Sequence, residues 1–451
     1  MLHKSAFSWT SGNLPAPGRG RLLGRGDSLV TCVRAVVAGF LVSATLAGCG
    51  GGSATPGETP AAGSPSGPQS ATPAITASIA PETASPATTA GVSPTVSAKA
   101  PTPTPAPSVK ATPANGIFTG TGSMAHARAS PTASGLAGGK ILIAGGHDSS
   151  GAPYSSAELY DPTTGQFTPT GSMAHARASH TATKLPNERI LITGGYGGSG
   201  AIASAEIYNP ATGTFSSTGS MLHARMNHTA TLLDDGTVLI TGGSGGSGVL
   251  ASAEIYNPAT GHFTATGSML RARTWHSATL LKNGWVLIAG GLGTSGTVAL
   301  AELYRPATGA FGATGSLAQA RQYPAAILLS NGLVLVAGGD ASSGSSLASA
   351  QTYNSATGGF GSTGSMADAR YFHTATLLPT WLILFAGGQG VSGPLASAEI
   401  YDSATGKFSV TGSMAQARIG HAAALLPYGR VLVCGGYVND TALASAEVYQ
   451  P

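Results

Sequence analysis

Five histidines stand three residues after an arginine: Arg177 and His180, Arg225 and His228, Arg273 and His276, Arg370 and His373, Arg418 and His421. Imidazoles at equivalent places could gather round an axis and hold a metal. Pro131 and Pro324, however, take the histidine's place after Arg128 and Arg321, and a metal rarely needs five equivalent ligands. The arginines are matched by Glu158, Glu206, Glu254, Glu302, Glu399 and Glu447, with Gln351 in the remaining place. A buried guanidinium requires a partner. The recurrence therefore predicts a structural Arg–Glu hydrogen bond rather than catalysis, and leaves Arg321 with a neutral acceptor. No catalytic residue, metal or cofactor is expected at the repeated positions. The two residues after each arginine vary instead. They include Met226-Asn227, Thr274-Trp275, Gln322-Tyr323 and Tyr371-Phe372. Aromatic faces beside amides and hydroxyls suit stacking on sugar rings or gripping a peptide.

All these residues belong to a block of about 48 residues written seven times, and a fixed period of that length marks a repeat architecture. A glycine pair begins 17 residues after every arginine. A tyrosine follows the pair by 14 residues in five blocks and by 15 in two, so length changes are confined to that segment. In the third block, 228–233, 237–241, 252–256 and 262–266 are short apolar or alternating runs and read as four strands. Asp235-Gly236 between the first two predicts a hairpin turn of type I′, with positive φ at both central residues. Asn257-Pro258-Ala259-Thr260-Gly261 is a turn in which proline presets φ and glycine takes the left-handed position. No segment keeps a helical period. Four antiparallel strands per block, seven times over, predict an all-β fold: a seven-bladed β-propeller. The seventh block ends after its third strand, at Tyr449, and an unmatched fourth strand stands near Phe118 ahead of the first arginine. That strand is expected to complete the last blade and close the ring.

The glycine pair after strand two, the Glu and Tyr of strand three, the aromatic of strand four and the Arg-x-x-His leading into strand one resemble the kelch family over residues 115–451. One departure is systematic: strand four carries Phe167, Phe215, Phe263, Phe311, Phe360 and Phe408 where that family usually has Trp. The resemblance implies the propeller. It also admits carbohydrate-active relatives resembling galactose oxidase, whose copper-radical site needs a tyrosine cross-linked to a cysteine, or sialic-acid isomerising proteins. The domain's one cysteine, Cys434, lies inside a repeat strand and argues against that cofactor.

In an up-and-down blade the loop after strand two and the loop into strand one emerge on one face. Trp275, Tyr323, Tyr371, Phe372, Asn227, Asp340, Tyr196 and Tyr437 fall there and are the candidate ligand contacts. The alternative is that the same rings fill the central channel. The opposite face repeats with little change and reads as structural. The glycine-rich loops precede strands, carry no Lys-Ser/Thr and are not phosphate cradles.

Residues 35–48 are an apolar run after Arg34, ending in Leu46-Ala47-Gly48-Cys49. It is short for a membrane span and resembles a bacterial lipoprotein signal. The resemblance implies a leader over 1–48, with a later start as an alternative, and lipidation of Cys49. Residues 49–114 are rich in Ala, Thr, Pro and Ser and read as a tether of on the order of 200 Å when extended. Five of the 22 basic and one of the 18 acidic residues lie before residue 49, which leaves 17 of each. Such neutrality gives no electrostatic case for nucleic acid. The expected protein is a monomeric, lipid-anchored, extracytoplasmic binding or interaction module of a bacterial envelope. A glycan or a protein is the expected ligand. A carbohydrate-active enzyme and a structural surface protein without ligand are the alternatives.

Overall fold

A computed structural model describes residues 116–341 and 345–451. The expected leader, the Cys49 lipid site and the tether lie outside the described residues. The described residues form seven four-stranded antiparallel sheets. Six of them are each one repeat block, and the seventh takes its fourth strand from ahead of the first block. Blade 3 consists of Thr229–Leu232, Val238–Thr241, Ala253–Asn257 and His262–Ala265 in consecutive register. The first strands of successive blades touch in an unbroken cycle, including the first strand of blade 7 against that of blade 1. The ring is closed.

Closure uses the strand anticipated from the sequence. Ile117–Gly120 lies antiparallel to Ala446–Gln450, with Phe118 opposite Tyr449, as the fourth strand of blade 7.

The core sits between blades, which explains why the second strand of every block is apolar on both faces. Side chains alternate across a sheet. In blade 1, Ile141 and Ile143 face blade 7, packing with Leu432, Cys434 and Val448. Leu142 and Ala144 face blade 2, packing with Ile190, Ile192 and Tyr208. Each of the seven blade-to-blade interfaces has its own apolar cluster of this kind.

Two polar stitches cross the same interfaces. Toward the rim, a threonine hydroxyl from one blade meets the tyrosine hydroxyl of the next. Thr121 with Tyr160 and Thr218 with Tyr256 are examples, at 3.0 and 2.9 Å. Toward the axis, the histidine of the Arg-x-x-His motif reaches back to the threonine that opens strand one of the preceding blade. Thr132 meets His180, Thr181 meets His228 and Thr229 meets His276, each at 3.0 Å; Thr374 meets His421 at 2.9 Å.

The hairpin expectation needs correction. Asp235 does not have positive φ; only Gly236 does, at 82°. Gly236 N–H donates to Leu233 O, and Leu233 N–H donates to Thr237 O. This is a three-residue loop ending in a left-handed residue, not a two-residue type I′ turn. The extra aspartate of the loop, Asp234, lengthens it by one. The loops after the glycine pairs also differ from a plain loop: in blades 3, 4, 6 and 7 each folds into a two-stranded ribbon.

Candidate functional site

Five of the seven arginines are anchored in one way, and in blade 4 Leu300 takes the serine's place beside Arg273. The Arg128 Nη1 donates to Gly145 O and Ser156 O, and Nη2 donates to Ser156 Oγ and to Glu158 Oε1 at 2.8 Å. The other carboxylate oxygen, Oε2, accepts from Ala125 N–H in the lead-in loop. Five further blades repeat the ion pair: Arg177–Glu206, Arg225–Glu254, Arg273–Glu302, Arg370–Glu399 and Arg418–Glu447, between 2.5 and 2.9 Å. All of these arginines are buried. They staple the lead-in loop to strands two and three within a blade. In blade 5, Arg321 keeps its bonds to Gly338 O, Ser349 O and Ser349 Oγ, but Gln351 replaces the acid. Burial without a carboxylate brings the Arg321 guanidinium down to about 10.

The motif histidines do not converge. Four of the five, all but His373, sit in the inter-blade stitches, and no group of three His, Cys, Asp or Glu among the described residues could hold a metal ion. Burial first, and the neighbouring arginine charge second, hold His180, His276, His373 and His421 at about 3 and His228 well below its ordinary value. These rings are neutral scaffold. Cys434 is buried, and desolvation pushes its thiol up to about 12, the opposite of a nucleophile or metal ligand.

The variable residues assemble differently. The first residue after each arginine bridges the first residue after the glycine pair of the same blade: Ala178 with Tyr196, Gln322 with Asp340, Tyr371 with Gln389, Ile419 with Tyr437. The second residue after each arginine has a left-handed backbone in every blade. Ser130, Ser179, Asn227, Trp275, Tyr323 and Phe372 have φ between 51° and 55°, and Gly420 has 58°. Their backbones link one blade to the next. Trp275 N–H donates to Asn227 O, Tyr323 N–H to Trp275 O, and Gly420 N–H to Phe372 O. The carbonyls of Ser179, Asn227, Trp275, Phe372 and Gly420 each accept from the equivalent residue of the following blade.

Four of the candidate ligand contacts therefore meet. Trp275 and Tyr323 have ring centroids 4.8 Å apart, Tyr323 and Phe372 3.9 Å, and Tyr323 and Tyr371 5.9 Å in a stacked arrangement. All four are half-buried. Burial raises the Tyr323 phenol, and Tyr371, Asp340 and Tyr437 raise it further. Tyr437 is raised by burial and then by Tyr371 and Asp440. Asp340 and Tyr437 thus belong to the same electrostatic neighbourhood as the rings. Tyr196 and Asn227 do not join the ring cluster. The Tyr196 hydroxyl bonds to Gly198 O in its own loop, and Asn227 contributes its backbone to the annulus.

The Kelch motif matches residues 128–174 and 177–222, which are blades 1 and 2. Two blades carry Kelch motifs. The remaining five repeat their geometry, including the Tyr–Phe contact and, except at Gln351 in blade 5, the Arg–Glu pair. No curated protein matches the chain. Among solved structures it is similar to a "novel fungal alcohol oxidase with catalytic diversity among the AA5 family, in complex with copper". Identity is 18%, with 75% of this chain and 77% of that chain covered and a TM-score of 0.64. At that identity the likeness is one of fold. The repeated histidines and Cys434 do not assemble a copper centre: four of the five histidines bond threonines of the preceding blade and Cys434 is buried in the core.

Two features escaped the sequence reading. The left-handed position could not be seen because Ser, Asn, Trp, Tyr and Phe all occupy it. The Thr–His stitch did leave a signal. Blocks followed by histidine mostly open strand one with Thr132, Thr181, Thr229 or Thr374, whereas those followed by Pro324 and Pro131 have Ser277 and Ala422.

Proposed function

We propose that this chain is a lipid-anchored envelope protein that presents a Kelch-type propeller on a long tether and binds a glycan or protein on its variable face. One observation carries the binding site. The fold requires a left-handed backbone at the second position after every arginine. Glycine meets that requirement without cost, as Gly420 does, whereas a bulky residue costs of order 1–3 kcal/mol. Blades 4, 5 and 6 nevertheless place Trp275, Tyr323 and Phe372 there, side by side. Strain of this kind is kept where a side chain is needed for something other than stability.

The site is tested by probing a glycan and peptidoglycan array with the chain and its Trp275→Ala and Tyr371→Ala variants. Binding lost in both variants, with thermal unfolding unchanged, supports the reading; unchanged affinity sinks it. The anchor is tested by Cys49→Ser expressed in a bacterial host. The expected result is release from the membrane fraction and loss of labelling by a fatty-acid probe.

A further inference from the structure

Asp340 is 6% exposed, and its Oδ1 has no hydrogen-bond partner among the described residues. Its Oδ2 accepts from Gln322 Nε2 at 2.8 Å, and the Gln322 Oε1 is likewise buried and unpartnered. Two acceptors left without donors in one place are costly. The fold does not ask for them. At the Asp340 position the other blades carry His147, Tyr196, Ser244, Leu292, Gln389 and Tyr437, and at the Gln322 position none carries an amide. The buried Arg321 of the same blade does not neutralise the carboxylate: its lowered guanidinium has burial as its one cause, and Asp340 feels only burial and Gln322. What borders the pair is aromatic. Tyr323 follows Gln322 directly, stacks on Tyr371, and both phenols feel the Asp340 charge.

A carboxylate short of a cation, an amide oxygen short of a donor and the faces of Tyr323 and Tyr371 are complementary to one kind of group. An ammonium supplies three donors and a positive charge, and ring faces attract cations. The Trp275–Tyr323–Phe372 platform adds area suited to the apolar face of a sugar. We infer that the variable face binds a glycan through a free, protonated amino sugar, its ammonium held between Asp340 and Gln322. The inference rests on the binding reading above and narrows it.

The test titrates the full chain calorimetrically with the β-1,4-linked glucosamine tetramer, its fully N-acetylated counterpart and tetralysine. The two sugars share a backbone and differ in charge. The expected result is that the free-amine tetramer binds at least roughly tenfold more tightly than the acetylated one. Asp340→Asn, which keeps the shape and the bond to Gln322, is expected to remove that preference; Gln322→Met is expected to weaken it. Trp275→Ala is expected to weaken both sugars. Equal affinity for the two sugars, or a preference unaltered by Asp340→Asn, overturns the inference. Tetralysine binding as tightly and as dependently on Asp340 overturns its sugar component. If neither sugar binds while the array shows another ligand that Trp275→Ala abolishes, the inference fails and the binding reading stands.

Discussion

Phe118 packs on Tyr449 with ring centroids 5.0 Å apart, the contact that Tyr160 and Phe167 make at 4.8 Å inside blade 1. A strand from the start of the domain thus occupies the place that a blade's own fourth strand fills elsewhere. Phe118→Ala is expected to cost about 2 kcal/mol, a modest large-to-small loss at a half-buried site. Deleting residues 116–120 should do more. It bares the Ala446–Gln450 edge, and a bare edge templates pairing between molecules. Sedimentation is expected to show concentration-dependent association; a monomer with unchanged melting would mean that the strand does not lock the ring.

Blade 5 holds the one arginine of the repeat whose partner is neutral. Gln351→Glu restores the acid that six other blades have, with the donating backbone N–H of Ala318 already in place at 2.9 Å from the glutamine oxygen. Breaking a buried pair costs about 3–5 kcal/mol, and completing one must desolvate the new carboxylate. A net gain of about 2 kcal/mol is expected, read as a higher denaturant midpoint at constant m. Loss of stability would show that the blade is built round the uncharged pair.

The turn between strands one and two makes a sign prediction. Its last residue is left-handed in blades 2, 3, 4, 5 and 6: Glu188, Gly236, Gly284, Gly332 and Trp381. A left-handed L-residue costs roughly 1–2 kcal/mol. Trp381 is 54% exposed and so gives little packing in return. Trp381→Gly is expected to raise stability by about 1 kcal/mol, whereas Gly236→Ala is expected to lower it by about 1. Chemical denaturation of both variants checks the opposition in sign.

The blade count and the four strands are legible from periodicity because each is enforced at seven equivalent places and one copy corroborates another; the Arg–Glu staple recurs in six, and the closing strand is the one fourth strand left over. The candidate site obeys the opposite logic. Trp275, Tyr323 and Phe372 share a backbone conformation imposed by the annulus, and that conformation has no residue signature when Ser and Asn adopt it too. The Gln322–Asp340 contact joins two loops through a bridge, and spacing along the chain does not show which loop residues face each other. The hairpin turn was misread for a smaller reason: Asp-Gly is as compatible with the last two positions of a three-residue loop as with a whole two-residue one.

His373 breaks the stitch between blades. Its Nε2 is buried and has no partner among the described residues, because strand one of blade 5 opens with Ala325 where four other blades have Thr. Ala325→Thr is expected to supply the missing hydroxyl and add about 1 kcal/mol, the net worth of one hydrogen bond. Nitrogen NMR of the His373 ring should report the new bond; an unchanged Nε2 shift with unchanged stability would show that the interface has no room for it.

The buried histidines set the acid limit of the fold. Their ordinary value is 6.5, and in the folded chain four stand at about 3 with His228 also far below it. Above 6.5 the rings are neutral whether the chain is folded or not, and stability is at its full value. Between 6.5 and about 3 the unfolded chain takes up protons that the folded chain refuses, so stability falls as pH falls. Each histidine contributes a slope of up to about 1.4 kcal/mol per pH unit, and five together approach roughly 7. A drop of two pH units below 6 then costs up to about 14 kcal/mol, comparable to the roughly 5–15 kcal/mol that holds a typical domain folded. The propeller is expected to unfold cooperatively between about pH 4 and 6, with an uptake close to five protons. His228→Gln should remove about one proton from that count. Retention of the fold at pH 3, or a slope unaltered in the variant, would place the acid sensitivity elsewhere.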